Sequence, residues 1–386
     1  MSSSFAESKQ GDDGDPEGRT HPSAPDAMRA APRVAIVHDY LTQQGGAERV
    51  VLALLRIFPK ARLITSVYRA EGTFPEFAAL SVETTWLDRL PVLRRDPRRG
   101  LPLLAPTFGR IVIKDVDVVI ASSSGWAHGV QTSAPKIVYC YNPPRWLHQP
   151  DEYLAGLGLL PRLASRAMTP YLRRWDQRAA ASAAAYIGIS TPVVDRIRRA
   201  YGRDALLVPP PVMIDVSGPR EPVDGIEPGF LLTVARARGY KNTDVVIDAM
   251  DRLAGERLVV VGDTRESARV RGVGRVSDAQ LRWLYENCRA LVSASYEDFG
   301  LTPLEANAFG RPAVVLRAGG FLDTLVEGVT GVFIEEPTAA AVADAVRGLP
   351  SVDPDAVRAH AQRYNEAAFA ERMREIVADV WRSAPG

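Results

Sequence analysis

Short apolar runs of strand length alternate with helical segments on both sides of a stiff proline run, Leu207-Val208-Pro209-Pro210-Pro211-Val212. No other feature constrains the chain as much, because strands alternating with helices point to parallel sheets covered on both faces. Before the prolines, strands read at Val34 to Val37, Leu63 to Val67, Val116 to Ala121, Ile137 to Tyr141 and Ala185 to Ile189. A helix from Val50 to Phe58 follows the first of them, and Thr191-Pro192 starts another as cap and first-turn proline. Beyond the prolines, a Pro/Gly-rich stretch to Gly229 has no periodicity and reads as a linker. A second series follows, with strands at Phe230 to Val234, Leu258 to Val261, Leu291 to Ala294 and Ala313 to Leu316, and helices at Thr243 to Leu253 and Asp278 to Asn287. The expected fold is α/β, with two doubly wound Rossmann-like domains facing across a cleft and ligands outside the carboxyl ends of the strands. The expected boundaries are a disordered tail over 1–31, a first domain over 32–207, a linker over 208–229, a second domain over 230–370, and a C-terminal helix over 371–386 placed to cross back to the first.

At 386 residues the chain exceeds the size at which single cores stop growing, which agrees with two domains. A net charge of +1 gives no overall drive toward nucleic acid. Cys140 and Cys288 form no CxxC and read as buried free thiols, in keeping with a reducing cytoplasm. No apolar stretch approaches the length of a membrane span, and the N-terminus lacks a signal-peptide pattern, so a cytoplasmic location is expected. Residues 1–31 carry almost no bulky apolar side chain, which predicts disorder, and Met28 is an alternative start.

The richest string is Ser295-Tyr296-Glu297-Asp298-Phe299-Gly300-Leu301-Thr302-Pro303-Leu304-Glu305, two glutamates with seven residues between them. After a buried strand, Phe299-Gly300 reads as a turn and Thr302-Pro303-Leu304-Glu305 as a helix start with Thr302 at N-cap. The amides near Gly300, Leu301 and Thr302 are then aimed at an anion over the helix N-terminus. Taken alone, Glu305 reads as a helix cap and Glu297 as a solvated loop carboxylate. The first strand of the second series leads into Arg236 and Lys241, a fork and a point charge suited to a diphosphate, or else a solvated basic loop. In the first half, Gly45 and Gly46 let backbone amides approach a phosphate without a Cβ in the way. His38 and Asp39 read as a satisfied strand end; His128 and Arg145 follow two other strand ends, while His148 reads as structural and Arg238 takes no role. Asp115-Val116-Asp117 reads as a turn and not as a metal-bridging motif, so no metal is expected.

The spaced glutamates, with the internal Phe-Gly and the preceding strand, resemble the signature of the retaining glycosyltransferases of family GT4. The resemblance covers roughly residues 33 to 340. The first loop, the Ser-Ser strand end before His128 and Glu297-Asp298-Phe299-Gly300 are most similar to the bacterial O-antigen mannosyltransferase-like subgroup. It implies a GT-B fold and a metal-independent hexosyltransferase without a cofactor. Arg236 and Lys241 would hold the donor diphosphate, Glu297 the donor sugar and Glu305 the ribose, with Gly45, Gly46, Phe299, Gly300, Leu301 and Thr302 lining the donor. His128 would touch the sugar or acceptor, and Arg145 an acceptor phosphate or hydroxyl. The subgroup resemblance alone points to GDP-mannose, and to a glycan or polyprenyl-linked acceptor in cell-envelope polysaccharide or glycolipid synthesis. Asp323 stands where the family usually has Glu, which leaves its ligand contact open. Basic and apolar residues interleave from Leu87 to Leu104 and again from Arg166 to Arg178, consistent with peripheral contact at an anionic membrane on its inner face or with solvated loops. A non-catalytic nucleotide-sugar-binding partner of another transferase, and an epimerase of the same fold, are the alternatives.

Overall fold

The computed structural model describes residues 31–149, 159–235 and 241–384. The expected tail therefore lies, except for Ala31, outside the described residues. The first half holds β1 (Val34–His38), β2 (Arg62–Thr65), β3 (Val82–Thr84), β4 (Val118–Ser123), β5 (Lys136–Cys140), β6 (Ala185–Gly188) and β7 (Leu206–Leu207), in the spatial order β3-β2-β1-β4-β5-β6-β7. The second holds β8 (Leu231–Val234), β9 (Leu258–Val261), β10 (Val270–Gly274), β11 (Ala290–Ser293), β12 (Ala313–Leu316) and β13 (Gly331–Ile334), in the order β10-β9-β8-β11-β12-β13. All neighbouring pairs are parallel. Central strands such as β1 and β4 are buried along their whole length, which is why they read as continuous apolar runs.

The helices relevant below are α1 (Gly46–Ile57), α2 (Leu101–Phe108), α3 (Leu159–Ala181), α4 (Thr191–Tyr201), α5 (Thr243–Ala249), α6 (Asp278–Asn287), α7 (Leu301–Ala308), α8 (Ala339–Arg347), α9 (Pro354–Gln362) and α10 (Glu366–Arg382). Two expected helix starts move. Ser190, not Thr191, caps α4, accepting from the Val193 amide at 3.3 Å. Thr302 is not the cap of α7: Gly300, at φ +90, is the N-cap and no side chain caps it. The left-handed turn brings the chain into the helix two residues early, a conformation glycine adopts without strain. Glu305 therefore sits beyond the capping position and caps nothing.

The two cores are distinct. Phe230, Leu232, Val260, Leu291 and Val314 belong to the second. The first gathers β1, β4 and β5, and also takes in Phe299 and Leu304 from the signature loop and helix. Helix α10 buries Phe369, Met373, Ile376 and Val377 in this first core. Phe369 meets Tyr139 of β5 edge-on, with ring centroids 5.9 Å apart. Both cysteines are free and buried. Truncation by Phe369→Ala removes that ring from a packed site and is expected to cost about 3–5 kcal/mol in urea denaturation. An unchanged midpoint would show that α10 does not hold the first half together.

Candidate active site

Each sheet reverses its winding between its first and fourth strands: β1 and β4 in one, β8 and β11 in the other. A crevice opens at the carboxyl ends of the strands at such a point. Two helix N-termini meet there. Gly45 is the N-cap of α1, without a side-chain cap, and a Cβ placed on Gly46 would lie only 3.4 Å from Leu301 Cδ1 at the start of α7. First-turn amides have no intrahelical acceptor, so two partial positive ends face the same space.

Glu297 lies on the loop leaving β11, where its Oε1 accepts from Lys241 Nζ and, at 2.8 Å, from Ser295 Oγ. Ser295 in turn shares a 2.8 Å hydrogen bond with Ser293 Oγ. Asn242, in the left-handed region at φ +49, donates from Nδ2 to Ala294 O at 2.9 Å and ties the Lys241 segment to the end of β11. Arg236 lies outside the described residues. The loop is braced from behind by Gly319-Gly320, whose Gly320 amide donates to Glu297 O at 2.8 Å. A Cβ on Gly320 would stand 2.3 Å from Phe299 Cα and 2.5 Å from Asp298 O, so only glycine permits this approach. Glu305 is separate from Glu297 in surroundings. It accepts from Tyr285 OH at 2.7 Å and lines a cavity of about 140 Å³ with Arg49 and Arg282. Arg49 itself lies over the Phe74 ring, 4.9 Å from its centroid.

In the first half, Asp39 is the organiser. Its buried carboxylate accepts from the amides of Ser124 at 2.6 Å, Ala127 at 2.7 Å and Trp126 at 3.2 Å, and so shapes the loop after β4. His38 Nδ1 meets Ser122 Oγ at 2.9 Å, and both residues are satisfied ends of their strands. His128, expected to touch the sugar or acceptor, is 2% exposed. Its Nδ1 faces Ser123 Oγ at 3.3 Å, its Nε2 lies 3.1 Å from Asp176 Oδ1, and Trp175 covers the ring. Enclosed in this way, the ring supports the loop after β4. His148 Nε2 and Tyr201 OH complete the surroundings of Asp176, at 3.0 and 3.1 Å. Burial alone would raise the Asp176 carboxyl, but the two imidazoles offset it and hold the group below its ordinary range.

A cavity of about 210 Å³ separates the loops of the first half from the signature loop, with Tyr40, Leu104, Trp126, Asn142, Arg145 and Asp298 among its walls. Arg145 is part of this wall and pairs with Asp298. Asp298 also accepts from Arg196 Nη1 at 2.6 Å and from Asn142 Nδ2 at 3.2 Å. These contacts escaped the sequence: Asp298 stands inside the quoted string, but nothing local marks Asn142 or Arg196 as its partners. Asp323 accepts from the Thr191 amide at 2.6 Å, at the N-terminus of α4.

Residues 221–371 match the family model for glycosyl transferases group 1. The D-inositol 3-phosphate glycosyltransferase of Corynebacterium aurimucosum is 32% identical over 177 residues, which are 38% of this chain and 42% of that protein. The alpha-1,3/1,6-mannosyltransferase ALG2 of Dictyostelium discoideum is 39% identical over 71 residues, 18% of this chain and 17% of that one. The chain thus spans less than half the length of these relatives. Among solved structures, Anabaena HepE in complex with UDP-glucose superposes with a TM-score of 0.62 at 17% identity, over 90% of this chain and 100% of that one. Sucrose-phosphate synthase from Thermosynechococcus elongatus gives 0.66 at 17% identity, over 91% and 100%. At that identity the likeness concerns architecture, and the fold is GT-B: two Rossmann-like domains.

Two measurements probe the supports of the site. Gly320→Ala forces a methyl group into the Phe299 backbone and is expected to cost about 1–3 kcal/mol in urea unfolding; no loss would mean that the turn yields freely. Lys136, whose Nζ donates to the carbonyls of His128 and Val130 and to Ser182 Oγ, is pulled down to about 8 by burial. The unfolded chain then binds the extra proton between about pH 8 and 10.5. Stability should rise with pH across that window, and Lys136→Met should flatten the rise; parallel curves for the two proteins would show that Lys136 titrates normally.

Proposed function

We propose that the chain is a retaining, metal-independent glycosyltransferase that moves a hexose from a nucleoside diphosphate sugar to a hydroxyl of a glycan or lipid-linked acceptor. The observation that carries this reading is the meeting of the α1 and α7 N-termini beside Lys241 and Glu297, an anion site next to a carboxylate that can accept from hydroxyls. The match over residues 221–371 supports it. The donor diphosphate would lie across Gly45, Gly46, Gly300, Leu301 and Thr302, with Phe299 packed beneath the loop. Lys241, joined by Arg236, would stabilise the charge that grows on the leaving phosphate, work that a divalent cation does elsewhere. Glu297 would orient the sugar and Glu305 the ribose. Among the described residues no side chain is set as a nucleophile, so the acceptor would attack from the face the diphosphate leaves, and the departing diphosphate would take the acceptor proton. Excluding water from the crevice would limit hydrolysis of the donor.

GDP-mannose is the proposed donor, supported by the subgroup resemblance and by the mannosyltransferase among the relatives. UDP-glucose is the comparison, since it is the ligand of HepE. The acceptor would occupy the cavity by Arg145 and Asn142. Envelope polysaccharide or glycolipid synthesis on the inner face of the membrane is supported by one surface. Around Pro91–Arg95 and α2, Trp86, Leu90, Val92 and Leu103 are exposed beside the exposed Arg89, Arg94, Arg95 and Arg99, while Leu87 and Leu93 point inward.

Radiolabel transfer from GDP-mannose to a membrane-lipid extract is the test. Glu297→Ala and Lys241→Ala should each lower it at least about 100-fold while the far-ultraviolet spectrum stays native; normal rates in both would remove the site. Nucleotide sugar at 100 times its dissociation constant should stabilise the fold by about 2.7 kcal/mol. Binding without turnover would favour the non-catalytic partner instead. Sedimentation with anionic liposomes tests the membrane face, and a protein left wholly in the supernatant would remove that part.

A further inference from the structure

The loop that carries Glu297 belongs to the second half, yet most of the donors on its next residue come from the first. The Asp298 carboxylate accepts from Asn142 and Arg145, which follow β5, and from Arg196 of α4. Its backbone carbonyl accepts from Ser190 Oγ, the cap of α4. Arg196 also donates to Tyr296 OH at 2.9 Å, so the residues on both sides of Glu297 are held by one guanidinium from the opposite domain. Phe299 then enters the first core. A carboxylate taking three such donors is costly to strand, because removing its partners leaves a charge at a half-buried seam. Among the described residues, Asp298 takes no such set of donors from its own domain.

We propose that Asp298 is a positioning residue that couples the seating of the first domain to the placement of Glu297: the Glu297 carboxylate is held ready for the donor sugar only while Asn142, Arg145 and Arg196 engage its neighbour. This rests on the donor site proposed above. Asp298 borders the acceptor cavity but touches no part of the donor in this scheme. Its effect therefore falls chiefly on the sugar, since the diphosphate is also held at the N-terminus of α1, which belongs to a separate loop of the first half. Arg145 has a second aspect. It lines the acceptor cavity while bound to Asp298, so an anionic acceptor group competes for the same guanidinium and feeds back on the loop.

The experiment uses the full chain and calorimetric binding of UDP-glucose, GDP-mannose, UDP and GDP. Asp298→Asn keeps the shape and removes the charge. It should weaken the bound nucleotide sugar about tenfold while the matching diphosphate changes less than about twofold. Arg196→Gln should show the same pattern, and the double variant no further loss, because both act through one contact. The more exposed Arg145→Gln carries the test if either of the other two variants fails to fold. Spin labels on Arg199→Cys and Asp251→Cys, one on each domain, should give a broader distance distribution with Asp298→Asn than without it. Equal losses for sugar and diphosphate, multiplied losses in the double variant, or an unchanged distribution would each overturn the coupling. If the unsubstituted chain binds none of the four nucleotides, the proposed function fails instead, and the distance distribution alone decides the seam.

Discussion

Everything in the crevice depends on where two parallel sheets change direction. Helices cover the faces of such a sheet, which leaves the carboxyl ends of the strands as the place where polar groups can gather without being buried. Here both reversals fall between the first and fourth strands of their sheets. The loops that leave those strands carry Asp39, Gly45 and Gly46, the Ser122–His128 segment, Lys241, and Glu297 with Asp298. The topology thus brings four loops, distant in sequence, to one place. Glycine makes the close contacts possible: Gly46 against α7, Gly300 at φ +90, and Gly320 against the Phe299 backbone.

The electrostatics of the site divide by role. Asp39 spends its lone pairs on the loop amides after β4, Asp176 faces two imidazoles and a phenol, and Asp298 takes two guanidiniums and an amide. For Arg196, burial opposes the charge, and Asp298 with Tyr296 offsets it, leaving the guanidinium more firmly protonated than usual. These acids are consumed in holding protein to protein. What remains on the crevice is cationic at the helix ends and at Lys241, with Glu297 as the acceptor beside them. Two helix ends beside a Lys241–Glu297 pair suit a ligand that is anionic at one end and rich in hydroxyls at the other.

The strands were legible because their signal is local. Leu258–Val261 and Ala313–Leu316 stand where their apolar runs place them, and β1 is off by one residue. The edge strands Val270–Gly274 and Gly331–Ile334 were not, since glycine and arginine interrupt their patterns and pairing on one side holds them. The start of α7 was misread because a Thr-Pro pair imitates a cap, whereas the left-handed Gly300 sets the entry. His128 was drawn toward the crevice by its place after a strand end. Its burial depends on Trp175 and Asp176, which come from a helix nearly fifty residues later, and no local pattern announces that packing. Asp298 is the same kind of case: its partners lie in two segments, after β5 and at α4, more than a hundred residues away.

The acids of the second half also sort by length. Glu297 and Glu305 would suggest a pair of catalytic carboxyls flanking one bond, but they occupy different surroundings: Lys241 and Ser295 hold the first, while Tyr285 holds the second by a separate cavity. A glycosidase pair must face one bond from two sides. The aspartates do something else. Asp298 and Asp323 reach only as far as the seam, where the first takes three donors from two segments of the other domain and the second accepts the Thr191 amide at the N-terminus of α4. Tyr364 OH fixes the Asp323 carbonyl at 2.8 Å, so its backbone is pinned as well. The methylene that Asp323 lacks, relative to the glutamate usual in the family it resembles, is therefore consistent with a changed task. A short acid at that turn serves the contact between domains, whereas the longer side chains of Glu297 and Glu305 stay within the second half, on Lys241 and Ser295 and on Tyr285.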